Sequence, residues 1–298
     1  MTLKKKLAEF AHTAKSRGKL AFFLDIDGTI ISRCSENGVS KRLAEAISKA
    51  QQNGHLFFIN SGRAIGYIPE ALLESANFDG VVSGLGAHIF YHGKTVFRSA
   101  ISISVIKEVV DYCAKHREAI IFESEHSGPS AVNGRYAMGY KEFFIQGKIP
   151  LEDEFLNPEL SYAFEKKDKY LSDLTDKSLL KITVPYVPCA EYSHFLENFF
   201  DMTYLPPIYA EGALHGNNKG TGINRVCELL EIPYENTVAV GDSENDINML
   251  KVAGLSAAMG SAPEAVKNMC DVVCDTVEND GAAKLIEALI LRQEQAQA

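Results

Sequence analysis

Two kinds of hydrophobic pattern divide this chain. Continuous apolar runs of strand length recur in its first and last parts, and a mixed pattern of short strands and helices fills the middle. Leu3, Leu7, Phe10, Ala11 and Ala14 fall at helical spacing and predict a short amphipathic helix, ended by Gly18. Leu20–Leu24 is an unbroken apolar run bounded by Gly and Asp, the signature of a strand buried on both faces. Ser40 suits the N-cap of a helix over Lys41–Gln52, which Asn53-Gly54 stops. His55–Asn60 reads as a second buried strand, Ala64–Glu74 as a helix interrupted at Pro69, and Val81-Val82 as a third strand. Strand and helix alternating through short links predict a parallel sheet with helices on its faces.

The middle of the chain reads as α+β. His88–Tyr91, Thr95–Arg98 and Leu180–Val184 are short strand-like runs, with His92-Gly93 as a hairpin turn and helices expected over Ser104–His116 and Ala190–Phe200. After Gly216 the first pattern returns: a helix over Gly220–Leu230, a buried strand over Thr237–Val240 and a helix over Asp246–Ala253. Short strands at Ser256–Met259 and Asp271–Cys274 and a helix over Ala282–Arg292 close it. The expectation is an α/β core split between residues 1–86 and 213–298, with an α+β domain inserted at 87–212 and no internal repeat.

Composition agrees with two domains. The chain has 298 residues, 46% of them hydrophobic, enough for a core without disulfide staples and too many for a disordered chain. The most apolar stretch near the start, Leu20–Ile31, carries Asp25 and Asp27, so no membrane span is expected there, and no signal peptide is read after the basic Met1–Lys6. The net charge of −9, from 30 basic against 39 acidic residues, argues against nucleic acid or an anionic membrane as partner. The one basic cluster (Lys4, Lys5, Lys6, Lys15, Arg17 and Lys19) reads as a solvated helix face. Cysteines at 34, 113, 189, 227, 270 and 274 form no Cys-x-x-Cys pair and no zinc spacing, which points to reduced thiols in a cytoplasmic protein. No feature calls for an obligate partner, so a monomer or weak homodimer is expected.

The candidate chemistry sits where strands end, since open parallel sheets bind ligands at their carboxyl ends. Asp25-Ile-Asp27-Gly-Thr29 follows the first strand, Asn60-Ser61-Gly62-Arg63 the second, and Gly241-Asp242-Ser-Glu-Asn245-Asp246 the Thr237–Val240 strand; Asn217-Asn218-Lys219-Gly220 precedes a helix. Two carboxylates two residues apart repel unless a cation or proton intervenes. Asp25, Asp27, Asp242 and Asp246 together are an all-oxygen set suited to Mg²⁺, beside Ser61 and Lys219 for an anion. Taken singly, the Asp-x-Asp-Gly-Thr turn serves equally as a solvated or calcium-type loop, and a lone lysine before a helix as surface. The four in this order point to phosphoryl transfer.

These motifs resemble those of the haloacid dehalogenase (HAD) superfamily, in particular the Cof-type hydrolases with a type IIB cap. The matching residues are Phe23-Leu-Asp-Ile-Asp-Gly-Thr29, Ile59-Asn-Ser-Gly-Arg63, Lys219-Gly220 and Gly241-Asp-Ser-Glu-Asn-Asp-Ile-Asn-Met-Leu250. The resemblance implies a Rossmann-like parallel-sheet core with an inserted cap, and a Mg²⁺-dependent phosphatase acting on a small phosphorylated metabolite. It implies that Asp25 attacks phosphorus and that Asp27 gives, then takes, a proton. It implies Mg²⁺ held by Asp25, the Asp27 carbonyl and Asp242, with Asp246 supporting that shell through water or Lys219. Ser61, Gly62, Lys219 and Asn245 would hold the phosphoryl oxygens. Among polar residues of the insert (Glu123, His126, Arg135, Tyr136 and Lys141), Arg135 and Lys141 are the candidates for substrate contact. The alternatives are a sugar phosphomutase, which uses the same aspartate pair, and a non-catalytic module that binds a phosphorylated ligand.

Overall fold

The computed structural model describes residue 10 and residues 18–32, 38–125, 135–138, 167–174, 178–185, 188–205 and 209–297. The chain divides into two units: residues 1–62, 68–96 and 218–298, and residues 63–67 and 97–217. Apart from Phe10, which is helical, the predicted opening helix lies outside the described residues.

The first unit begins with β1 (Ala21–Leu24), α1 (Lys41–Gln52), β2 (Leu56–Asn60), α2 (Glu70–Glu74), β3 (Gly80–Ser83), β4 (His88–Tyr91) and β5 (Lys94–Arg98). The insert contributes α3 (Ile103–His116), β6 (Ile120–Ser124), β7 (Arg135–Met138), α4 (Lys167–Leu174), β8 (Leu179–Val184), α5 (Ala190–Leu196), β9 (Phe200–Leu205) and β10 (Tyr209–Leu214). The chain then returns with α6 (Lys219–Leu230), β11 (Thr237–Gly241), α7 (Ile247–Val252), β12 (Leu255–Ala258), α8 (Glu264–Met269), β13 (Val272–Val273) and α9 (Gly281–Gln297).

The first unit is built on an eight-stranded sheet in the order β13-β12-β11-β1-β2-β3-β4-β5, parallel from β13 to β3. Every residue of β1 is fully buried, as the unbroken apolar run requires of a strand with helices on both sides. Phe22 stacks on Phe57 at 4.5 Å between centroids and Phe23 on Phe58 at 5.2 Å, which locks β1 to β2 in register. Ser40 caps α1 by accepting from the Leu43 N–H, and Leu43, Ala46, Ile47 and Ala50 form its buried stripe. The strand order reverses at β1, which sends the chain outward to β2 on one side and meets β11 on the other, so the crevice for a ligand opens at their carboxyl ends.

Two expectations change. The β4–β5 hairpin, assigned from sequence to the insert, pairs antiparallel with β3 and extends the first sheet, so the first unit runs to residue 96 and resumes at 218 instead of switching at 86 and 213. The helix expected over Ala190–Phe200 ends at Leu196, and Phe200 opens β9, where its buried ring joins the second unit's core. The second unit is a five-stranded sheet in the order β7-β6-β8-β10-β9. One face of it, with Ile120, Phe122, Ile182, Val184 and Ala210, packs on α3 and α5 through Ile106, Val110, Tyr192 and Leu196. The five described cysteines carry free thiols. No helix among the described residues is long and apolar enough to cross a membrane.

Candidate active site

The register of the first sheet brings three polar segments to one edge. Leu24 lies opposite Val240 on β11 and Ile59 on β2, so Asp25, Asn60-Ser61 and Gly241-Asp242 leave neighbouring strands together. The Asp25 N–H donates to the Val240 carbonyl at 3.0 Å, carrying the pairing one residue past the strand. Gly28 then turns the chain with φ +81°, a conformation L-residues resist, and its N–H bonds the Ile31 carbonyl.

Lys219 enters from the first turn of α6. Asn218 caps that helix by accepting from the Gly220 and Thr221 N–H groups at 2.9 Å, while Thr221 Oγ1 accepts from the Asn218 N–H. Lys219 is 1% exposed, and its Nζ donates to Asp25 Oδ1 and Asp246 Oδ1, both at 2.6 Å. Asn245 Oδ1 lies 3.4 Å away. Asp246 is held from its other side: its Oδ2 accepts from the N–H groups of Asp242 and Ser243 at 2.9 and 3.0 Å. That fold-back needs Gly241, because a Cβ there would fall 2.6 Å from Asp246 Cβ and Cγ.

One ammonium between two buried carboxylates leaves an excess of negative charge. Burial first, and then the Asp246 charge, push the Asp25 carboxyl up to about 8 against the pull of Lys219. For Lys219 burial acts downward, but the attraction of Asp246 and Asp25 prevails and its ammonium is held more firmly than usual. Asp25, Asp242 and Asp246 each offer a carboxylate oxygen within 4.8 Å of the others. A buried, all-oxygen, net-acidic set of this kind has the donor chemistry of a hard divalent cation such as Mg²⁺.

The structure therefore brings Asp25, Lys219, Asp242, Asn245 and Asp246 into one cluster, with Ser61 and Gly62 at the adjoining strand end and half-buried Asp27 one turn beyond Asp25. Arg135 is the first residue of β7 in the second unit, paired by backbone register with Glu123, and buried Tyr136 lies in that unit's core. His126 and Lys141 lie outside the described residues. Asn60 is the residue that sequence reasoning left without a role. Its Nδ2 donates to the Lys219 carbonyl at 3.0 Å and ties the start of α6 to the end of β2. Its place just before Ser61 was the only local signal.

A family model for haloacid dehalogenase-like hydrolases matches residues 22–286. The chain belongs to that family. Among its relatives is the 5-amino-6-(5-phospho-D-ribitylamino)uracil phosphatase of Bacillus subtilis (strain 168), 27% identical over 270 residues that span 90% of this chain and 94% of that protein. A phosphoglycolate phosphatase of Methanobrevibacter smithii is 26% identical over 279 residues, covering 91% of this chain and 98% of the relative. Among solved structures, a HAD subclass IIB sugar phosphatase superposes with a TM-score of 0.70 at 26% identity, covering 90% of this chain and 98% of that one. The chain is a phosphatase of the haloacid dehalogenase-like family, with an α/β core and an inserted second unit.

Proposed function

We propose that this protein hydrolyses a small phosphomonoester through a phosphoryl group carried transiently on Asp25. The observation that carries the reading is the buried Asp25–Lys219–Asp246 chain with Asp242 beside it, at the carboxyl ends of β1 and β11. Asp25 and Asp242, with the Asp27 carbonyl, would hold Mg²⁺, which when bound offsets the repulsion between a carboxylate and a phosphate dianion. Both oxygens of Asp246 are engaged by Lys219 and backbone N–H groups, so its part is to fix Lys219 and the Asp242 loop.

The chemistry is then two displacements. An Asp25 carboxylate oxygen bonds to phosphorus as the ester P–O bond breaks, and the Asp27 carboxyl gives its proton to the departing oxygen. The Asp27 carboxylate next takes a proton from water as that water bonds to phosphorus, and the bond to Asp25 breaks to release phosphate. Ser61, Gly62, Asn245 and Lys219 steady the phosphoryl oxygens, the lysine also cancelling charge as it builds. The substrate is a small phosphorylated metabolite, as the names of the relatives suggest, and the setting is the cytoplasm. A monomer or weak homodimer suffices for this site, in which each named group belongs to one chain.

The test is phosphate release from a panel of about a hundred phosphate esters, with Mg²⁺ and with chelator. Metal-dependent release from a subset is expected, with Asp25→Asn folded and inactive. Full turnover by that variant overturns Asp25 as the nucleophile, and isomerised ester with little free phosphate would mark a mutase instead.

A further inference from the structure

The start of α6 is pressed against the first sheet. A Cβ at Gly222 would fall 2.4 Å from Val82 Cγ1 on β3, and one at Gly86 would fall 2.3 Å from the Asn218 carbonyl oxygen. The register pairs Asn60, the last residue of β2, with Val82, so both side chains share the sheet face that α6 covers. Asn60 is fully buried there, and its Nδ2 donates to the Lys219 carbonyl at 3.0 Å.

That bond is not needed to satisfy the carbonyl. As part of α6, the Lys219 carbonyl stands in the helix ladder and accepts from the N–H four residues on. Nor is the amide itself well satisfied, because Asn60 Oδ1 is buried with no hydrogen-bond partner among the described residues. A buried acceptor without a partner lowers stability. An apolar side chain would serve the packing better, so the amide has another use. It holds the peptide group next to the Lys219 Cα, and it does so from the residue that directly precedes Ser61.

We propose that Asn60 is a positioning residue for phosphoryl transfer, holding the start of α6 against the end of β2 so that the Lys219 ammonium and the Ser61 hydroxyl keep a fixed separation across the phosphoryl site. It acts through those two groups, and the proposal rests on the phosphatase reading above. Misplacing a group of this kind by about 1 Å costs up to about 100-fold. Charge on the phosphoryl oxygens is redistributed in the transition state, so the loss falls on kcat.

The test is Asn60→Leu in the full chain, which keeps the branching of the side chain and removes both the donor and the unmet acceptor. With the best ester of the phosphate panel and Mg²⁺, kcat should fall by about tenfold or more. KM and the half-saturating Mg²⁺ concentration should stay within about threefold. Thermal unfolding in EDTA should give a Tm within about 5 °C of the intact protein, or above it. A residue that merely held the fold together would move Tm and the Mg²⁺ requirement along with kcat. A smaller loss of kcat, a larger fall in Tm, or a shift in KM or in the Mg²⁺ requirement beyond that limit overturns the proposal. If the leucine variant does not fold by circular dichroism, Asn60→Ala is held to the same limits, and a second failure to fold overturns the proposal. Release by the intact protein with kcat unaltered in Asn60→Leu overturns only this inference. No release by the intact protein from any ester of the panel overturns the phosphatase reading, and the inference with it.

Discussion

Replacing Lys219 by methionine isolates what its charge does, because methionine fills most of the same buried volume. The lysine is 1% exposed and bonds two carboxylates at 2.6 Å. Removing the cation of a buried pair costs about 3–5 kcal/mol, since the partner charge stays behind uncompensated. At roughly 2–4 °C per kcal/mol for domains of this size class, that is a fall in Tm of about 6–20 °C. The assay is thermal unfolding by circular dichroism in EDTA, repeated with Mg²⁺. Lysine removal takes away the ammonium that bonds Asp25 and Asp246 beside Asp242, so added Mg²⁺ should narrow the gap to wild type; at a hundred times its Kd a ligand contributes about 2.7 kcal/mol. Phosphate release should fall at least 100-fold, about the loss seen when a group stabilising transition-state charge is removed. A Tm in EDTA within about 2 °C of wild type, or a gap that Mg²⁺ leaves unchanged, would refute the argument that this ammonium balances the buried acids.

Two further outcomes follow from the same geometry. The folded-state pKa of Asp25 lies near 8, above its ordinary value of 3.8, so its contribution to stability is complete below about pH 4 and drains away as pH rises towards 8; in EDTA the wild-type Tm should decline from pH 5 to 8 while Asp25→Asn stays nearly flat, and parallel slopes would contradict this. Gly241→Ala pushes a methyl to 2.6 Å from Asp246 Cβ, which should cost about 1–3 kcal/mol in strain and, by displacing Asp246 and Lys219 together, about 100-fold in kcat; unaltered turnover would mean the loop has room to yield.

Strands buried on both faces were readable from the sequence because that burial demands an unbroken apolar run. Ala21–Leu24 and Leu56–Asn60 satisfy it within a residue of their expected ends, and Ser40 capped its helix as predicted. The site motifs were readable for a related reason: parallel strands place chemistry at their carboxyl ends, and Asp25, Ser61 and Asp242 are the polar residues that end such runs. What local pattern does not carry is the choice of partner. The β4–β5 hairpin has the same alternation whichever sheet it joins, and its place beside β3 came from tertiary pairing alone. Phe200 follows a helix without a strong stop signal and shares a core with Tyr192 and Leu196 of that helix, so its place on β9 came from strand pairing with Leu214. Likewise, nothing near Asn60 in the chain announces a bond to the carbonyl of Lys219, nor near Glu211 a bond to Lys181, since these pairs lie 159 and 30 residues apart. The sequence by itself determined which residues could carry phosphoryl chemistry; only the fold decided which acids Lys219 neutralises, because net charge is a property of what is brought together in space.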